Sequence, residues 1–193
     1  FKAGIPRTRV HLTCDKASSI TAGTAEGSYG PHMTSTQPKP AADDATPRGA
    51  LTGILTQIDH VGIAVADLDE AVAWYADTFG LVETHRETNE EQGVQEAMLS
   101  APGDDGAAIQ LLAPLNPDST IAKFLDRHGP GMQQLAYRVT DIDAACAALR
   151  AKGLRLLYEQ PRRGTAGSRI NFIHPKDAGG VLVELVEPAS TGH

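Results

Sequence analysis

The chain repeats itself. Slid along itself by 74 positions, DHVGIAVADLDEAVAWYADTFGL from Asp59 falls on QQLAYRVTDIDAACAALRAKGL from Gln133, with one residue deleted near the end. Val65 meets Val139, Asp67 meets Asp141, Asp69 meets Asp143 and Gly80 meets Gly153. Each copy reads as a strand, an Asp cap, a helix and a Gly stop. Such a repeat restricts the fold more than local propensity does, because two copies of one unit must bury matching faces. The pattern predicts an α+β fold of tandem β-α-β-β-β modules, with curved mixed sheets that meet around one cleft.

In the first copy a strand is expected from about Gln57 to Ala66. Alternation sends Val61, Ile63 and Val65 to one face and His60, Gly62 and Ala64 to the other. The first face suits packing under a helix; the second is a histidine with open space beside it. DLDE from Asp67 is a capping box with Asp in the Ser/Thr place. Leu68, Ala71, Val72 and Tyr75 then recur at helical spacing up to Gly80. Trp74 and Tyr75 are assigned to the core. Strands are expected over Leu81 to Thr88, Val94 to Ala101 (carrying Glu96) and Ala107 to Ala113 (carrying Gln110), with PGDDG as a hairpin turn. Ser119 caps a short connecting helix stopped by Gly129, and His128 in its last turn complements the helix dipole. The second copy places strands at Gln133 to Thr140, Leu154 to Tyr158, Arg169 to His174 and Val181 to Glu187. Its helix follows Asp141, a loop with two arginines spans Glu159 to Ser168, and His174 reads as structural.

These modules cover about 54–116 and 129–188 of the 193 residues, leaving 189–193 as a tail. Residues 1–53 have no period, are rich in Gly, Ala, Ser, Thr and Pro, and are expected to be disordered. Met33 reads as a natural start preceded by upstream sequence; the scarcity of acids up to Pro40 is a weak mark of an organellar transit peptide. The expected location is cytoplasmic, or the mitochondrial matrix if that segment is a transit peptide. Net charge of −7 argues against a nucleic-acid partner. No apolar run approaches the roughly 18 to 20 residues of a membrane span. Cys14 and Cys146 are not expected to pair, which fits a reducing compartment.

The same offset pairs His60 with Gln134 and Gln110 with Glu184. Four polar residues thus stand in four otherwise apolar strands, at positions related by one symmetry. One imidazole, two amide oxygens and one carboxylate form a mixed N/O set suited to Co, Mn, Ni, Zn or Mg. Four protein ligands leave two octahedral positions, enough to chelate a substrate through two oxygens and polarise a carbonyl. With one anionic ligand the ion keeps most of its charge, which suits an enolate.

DHVGIAV, NEEQGVQEAML, IQLLAPLNPDSTIAKFL, YRVTDIDA and RINFIHPKDAGGVLVELVEP resemble the methylmalonyl-CoA epimerases of the vicinal oxygen chelate superfamily, over about Ile58 to Pro188. The resemblance implies paired βαβββ modules, a divalent metal, a homodimer and a CoA thioester as small-molecule partner. It implies His60, Gln110 and Glu184 as metal ligands, Glu96 as an acid/base and Glu184 as its partner on the opposite face. It departs at one place. The family's Gly-Leu-His-His stretch is Gly131, Met132, Gln133, Gln134 here, so Gln134 stands where a ligand histidine is expected. Two other readings remain at this level: another metal enzyme of the superfamily, such as a glyoxalase or an acyl-CoA isomerase, and a non-catalytic small-molecule binding protein.

Overall fold

The predicted caps form and set the three helices. Asp67 Oδ1 accepts from the amide of Glu70 at 2.9 Å and starts α1 (Leu68–Phe79), which ends at Gly80 in the left-handed conformation. Asp141 does the same for α3 (Ile142–Ala151), accepting from Ala144 at 2.9 Å. Ser119 caps α2 (Thr120–His128). The computed structural model describes residues 49–189. The expectations placed on Met33, on Cys14, on residues 1–48 and on the tail after residue 189 lie outside the described residues. Ala50 and Leu51, assigned above to the extension, pack against the cluster under α3.

Among the described residues, eight strands build one mixed sheet in the order β2-β3-β4-β1-β5-β8-β7-β6. They are β1 (Leu55–Ala64), β2 (Val82–Asn89), β3 (Val94–Ser100), β4 (Ala108–Pro114), β5 (Gly131–Val139), β6 (Arg162–Arg163), β7 (Arg169–Ile173) and β8 (Val183–Glu187). The order reads the same from both edges to the middle, as the repeat requires. β1 lies parallel to β4, β5 lies parallel to β8, and the halves join through the antiparallel pair β1–β5.

Alternation sorts the core as predicted. Ile63 and Val65 join Leu99 and Leu111 beneath α1, and Val139 and Leu185 pack beneath α3. The opposite face carries Ala64, Leu112 and Ile121 in one half and Ala136, Ile170 and Phe172 in the other. This second face is where the polar positions meet.

Two assignments are corrected. Trp74 is 54 % exposed, not core. It falls outside the i, i+3, i+4, i+7 stripe that buries Leu68, Ala71, Val72 and Tyr75, and it stacks edge-on against Tyr75 and Phe79. Leu154 to Tyr158 is not a strand; it makes one bridge, Leu156 to Ile173. Arg150 Nη2 takes the carbonyls of Tyr158 and Glu159, and Pro161 has no amide to extend a ladder, so the chain turns off the sheet. The two structural histidines stand as expected. His128 lies in the last turn of α2, and His174 caps a short 3₁₀ turn through Lys176.

Candidate active site

The seam between the halves gathers all four polar positions. Gly62 on β1 lies in register with Gln110 on β4 and with Gln134 on β5. Ala136 on β5 lies in register with His60 on β1 and with Glu184 on β8. Gly62 and Ala136 are themselves mates at the 74-residue offset. Each is a small residue flanked by two long polar ones pointing the same way. The space is used: a Cβ on Gly62 would meet Gln134 Cγ at 2.5 Å.

His60, Gln110, Gln134 and Glu184 are buried and touch one another. His60 Nε2 lies 3.2 Å from Glu184 Oε2. The Gln134 amide nitrogen donates to Glu184 Oε2 and to Gln110 Oε1 (3.2 Å), and sits 3.5 Å from His60 Nε2. Burial alone would lower the pKa of His60, but Asp59 and Glu184 outweigh it and raise it to about 9.

The donor chemistry fits a divalent cation. Three atoms, His60 Nε2, Gln110 Oε1 and Glu184 Oε2, lie within 3.5 Å of one point, the Gln134 amide nitrogen. That nitrogen is not a ligand atom, but turning the amide end for end brings its oxygen to the same place. Among the described residues no three His, Cys, Asp or Glu are arranged to hold a metal ion by themselves, and half of this set is neutral amides. Imidazole binds borderline metals more strongly than an amide oxygen does. Gln134→His is therefore expected to tighten Co(II) and Zn(II) binding in a chelator competition; unchanged affinity would remove Gln134 from the ligand set.

Glu96 stands beside this set on β3. Gln110 Nε2 donates to its Oε2 at 2.9 Å, and Thr165 Oγ1 donates to its Oε1 at 2.7 Å. Burial, opposed by the Thr165 hydrogen bond and reinforced by the neighbouring Glu87, raises its pKa to about 7. A carboxyl poised there can both take and return a proton near neutrality. A cavity of about 380 Å³ opens over Glu96, Gln110, Gln134 and Glu184, with Arg162 stacked on Tyr158 in its wall.

Two contacts in this site are not legible in the sequence. Thr165 also accepts from Gln110 Nε2 at 3.0 Å, but it lies in a 3₁₀ turn of the second half, where no period marks it. The local signal for it is Gly164, where a Cβ would meet Ile170 at 2.5 Å. Asp59 bonds to His60, although neighbours along a strand normally face apart.

Two symmetric halves sharing one sheet, with a mixed N/O donor set at their seam and an acid beside it, define a class. The sequence matches the model of the Glyoxalase/Bleomycin resistance protein/Dioxygenase superfamily over residues 59–172, and the chain belongs to that superfamily. Within it, the chain falls among methylmalonyl-CoA epimerases. It is 36% identical to the human mitochondrial methylmalonyl-CoA epimerase over 149 residues, covering 75% of this chain and 83% of that one. The crystal structure of methylmalonyl-CoA epimerase from Mycobacterium tuberculosis superposes with a TM-score of 0.68 at 64% identity, over 70% of this chain and 89% of that one. A Streptomyces coelicolor methylmalonyl-CoA epimerase variant in complex with 2-nitronate-propionyl-CoA gives 0.66 at 48% identity, over 70% and 99%.

Proposed function

We propose that this protein interconverts (S)- and (R)-methylmalonyl-CoA by abstraction and return of the α-proton. The observation that carries the proposal is Glu96, buried, with a pKa of about 7, beside the converged set of His60, Gln110, Gln134 and Glu184. The proton to be moved lies between a thioester and a carboxylate, so its loss leaves an enolate. A divalent ion held by His60, Gln110, Gln134 and Glu184 would supply Lewis-acid polarisation of the thioester carbonyl. Glu96 takes the proton. Thr165 and Gln110 fix its two oxygens and so its direction of attack. The burial that lifts its pKa also keeps water from the carbanion.

Inversion needs a donor on the opposite face. The repeat places Ile170 at the mate position of Glu96, and Ile170 is buried and apolar. The two faces are therefore served unequally. Glu184 is the buried carboxylate on the far half, and it is assigned the second role, shared with its place in the donor set. Arg162 and Arg163 in the cavity wall suit the phosphates of a CoA thioester on an otherwise acidic chain. The proposal includes a homodimer, supported by the exposed, edge-stacked apolar pair Trp74 and Phe79, and a cytoplasmic setting in propionate metabolism.

The test is a coupled assay converting (S)- to (R)-methylmalonyl-CoA, with and without chelator, run beside α-proton exchange in deuterated buffer. Turnover and exchange that fall with chelator support the proposal. Absence of both in cation-loaded protein would favour a small-molecule binding protein.

A further inference from the structure

Consecutive residues of a regular strand face opposite ways, so Asp59 cannot reach the His60 imidazole from an undistorted β1. The register between β1 and β5 shifts at this point. Ile58 pairs with Tyr137 and His60 pairs with Ala136, which leaves Asp59 as an extra residue without an opposite number. The bulge turns Asp59 toward its neighbour. Asp59 is 8 % exposed; its Oδ1 lies 2.9 Å from His60 Nδ1, and its Oδ2 accepts from Arg138 Nε at 2.6 Å. Arg138, Asp59 and His60 thus form a chain that ends with Nε2 in the donor set.

A second bulge matches the first. Between Gly62, paired with Gln134, and Ile63, paired with Met132, the extra residue is Gln133. Gln133 is the mate of Asp59 at the 74-residue offset. Its Oε1 is buried and has no hydrogen-bond partner. The backbone device recurs in both halves, while the carboxylate that grips the ligand behind it occurs in the first half.

We infer that Asp59 is a positioning residue: from its bulge, and backed by Arg138, it holds the Nδ1–H of His60 and leaves Nε2 as the ring nitrogen that faces Gln134 and Glu184. An ionised carboxylate accepts and cannot donate, so Nδ1 must carry the proton in this contact. The Arg138 guanidinium, donating to Oδ2 at 2.6 Å, pairs with Asp59 as a carboxylate. A neutral His60 then has its lone pair on Nε2, the atom a cation ligand needs. The ligand role of His60 rests on the proposed function; the tautomer does not.

The test uses the full chain with ¹⁵N-labelled histidine and no added metal. At a pH high enough that the ring is neutral, nitrogen NMR reports which ring atom bears the proton. The wild type is expected to show Nδ1–H. Asp59→Ala is expected to move the proton toward Nε2, and Asp59→Asn, which keeps an acceptor oxygen, to retain Nδ1–H in part. Chelator competition for Co(II) alone is expected to weaken by about 10- to 100-fold in Asp59→Ala, with Asp59→Asn between. Nε2–H in the wild type overturns the inference. So does a folded Asp59→Ala with wild-type tautomer or wild-type Co(II) affinity. If Asp59→Ala does not fold, the wild-type tautomer and Asp59→Asn decide. If the wild type takes up no Co(II), the cation reading fails separately and the tautomer comparison alone judges Asp59.

Discussion

Glu96→Gln is expected to lose at least about two orders of magnitude in turnover while keeping its fold, its cation and its affinity for acyl-CoA. The glutamine oxygen can accept from Gln110, and its nitrogen can donate toward Thr165 and Glu87, so the local hydrogen bonds survive. Only the base is removed. α-Proton exchange with deuterated solvent is expected to vanish from one substrate epimer and to persist from the other if Glu184 serves the far face. In the wild type, kcat/KM is expected to fall as pH drops below about 7, because protonated Glu96 cannot accept the α-proton. Wild-type turnover in the variant would take the role away from Glu96.

The same substitution has a stability signature of opposite sign. Burial raises the Glu96 pKa from 4.5 to about 7, so the folded state holds that proton more tightly than the unfolded chain does. The cost of ionising it in place is absent below about pH 4.5 and grows as pH rises toward 7. Glu96→Gln removes that cost. At pH 8 the variant is expected to be the more stable protein, by at most on the order of 3 kcal/mol, and at pH 4 the difference should close. Equal melting at both pH values would mean that Glu96 is not held in a charge-averse pocket.

His60→Ala is expected to abolish stoichiometric cation and turnover together while leaving a folded chain. His60 is the one nitrogen ligand, and the remaining donors are two neutral amides and a single carboxylate. The loss in affinity should exceed the roughly 10- to 100-fold that follows from removing a group behind a ligand. Because the cation competes with a proton on His60, wild-type affinity should climb with pH up to about 9 and then level. The check is elemental analysis of the purified variant with a chelator titration across pH. Full occupancy in folded His60→Ala would place the cation elsewhere.

The local grammar of this protein is written in its sequence. The 74-residue offset alone makes Gly62 the mate of Ala136 and His60 the mate of Gln134. Asp67 and Asp141 announce the helices, and alternation in GIAV tells the helix-packed face from the cleft face. Those signals are periodic, and periodicity is set by backbone geometry, so a repeat in sequence must become a symmetry in space. From that symmetry the convergence of His60, Gln110, Gln134 and Glu184 follows, because register neighbours on one face of a sheet have nowhere else to point.

What broke the period was decided only by the tertiary structure. Asp59 reaches His60 through a bulge, a mismatch between strands that neither strand encodes alone. Thr165 reaches Glu96 because a turn of the second half closes over the first, across a sequence separation that no local pattern spans. Trp74 looks like core by composition, but it faces outward because the helix had already filled its stripe. The orientation of the Gln134 amide, nitrogen toward Glu184 and Gln110, follows from which acceptors surround it. Chain order can specify which residues share a face; which of them touch depends on how two halves, separated by 74 positions, settle against each other.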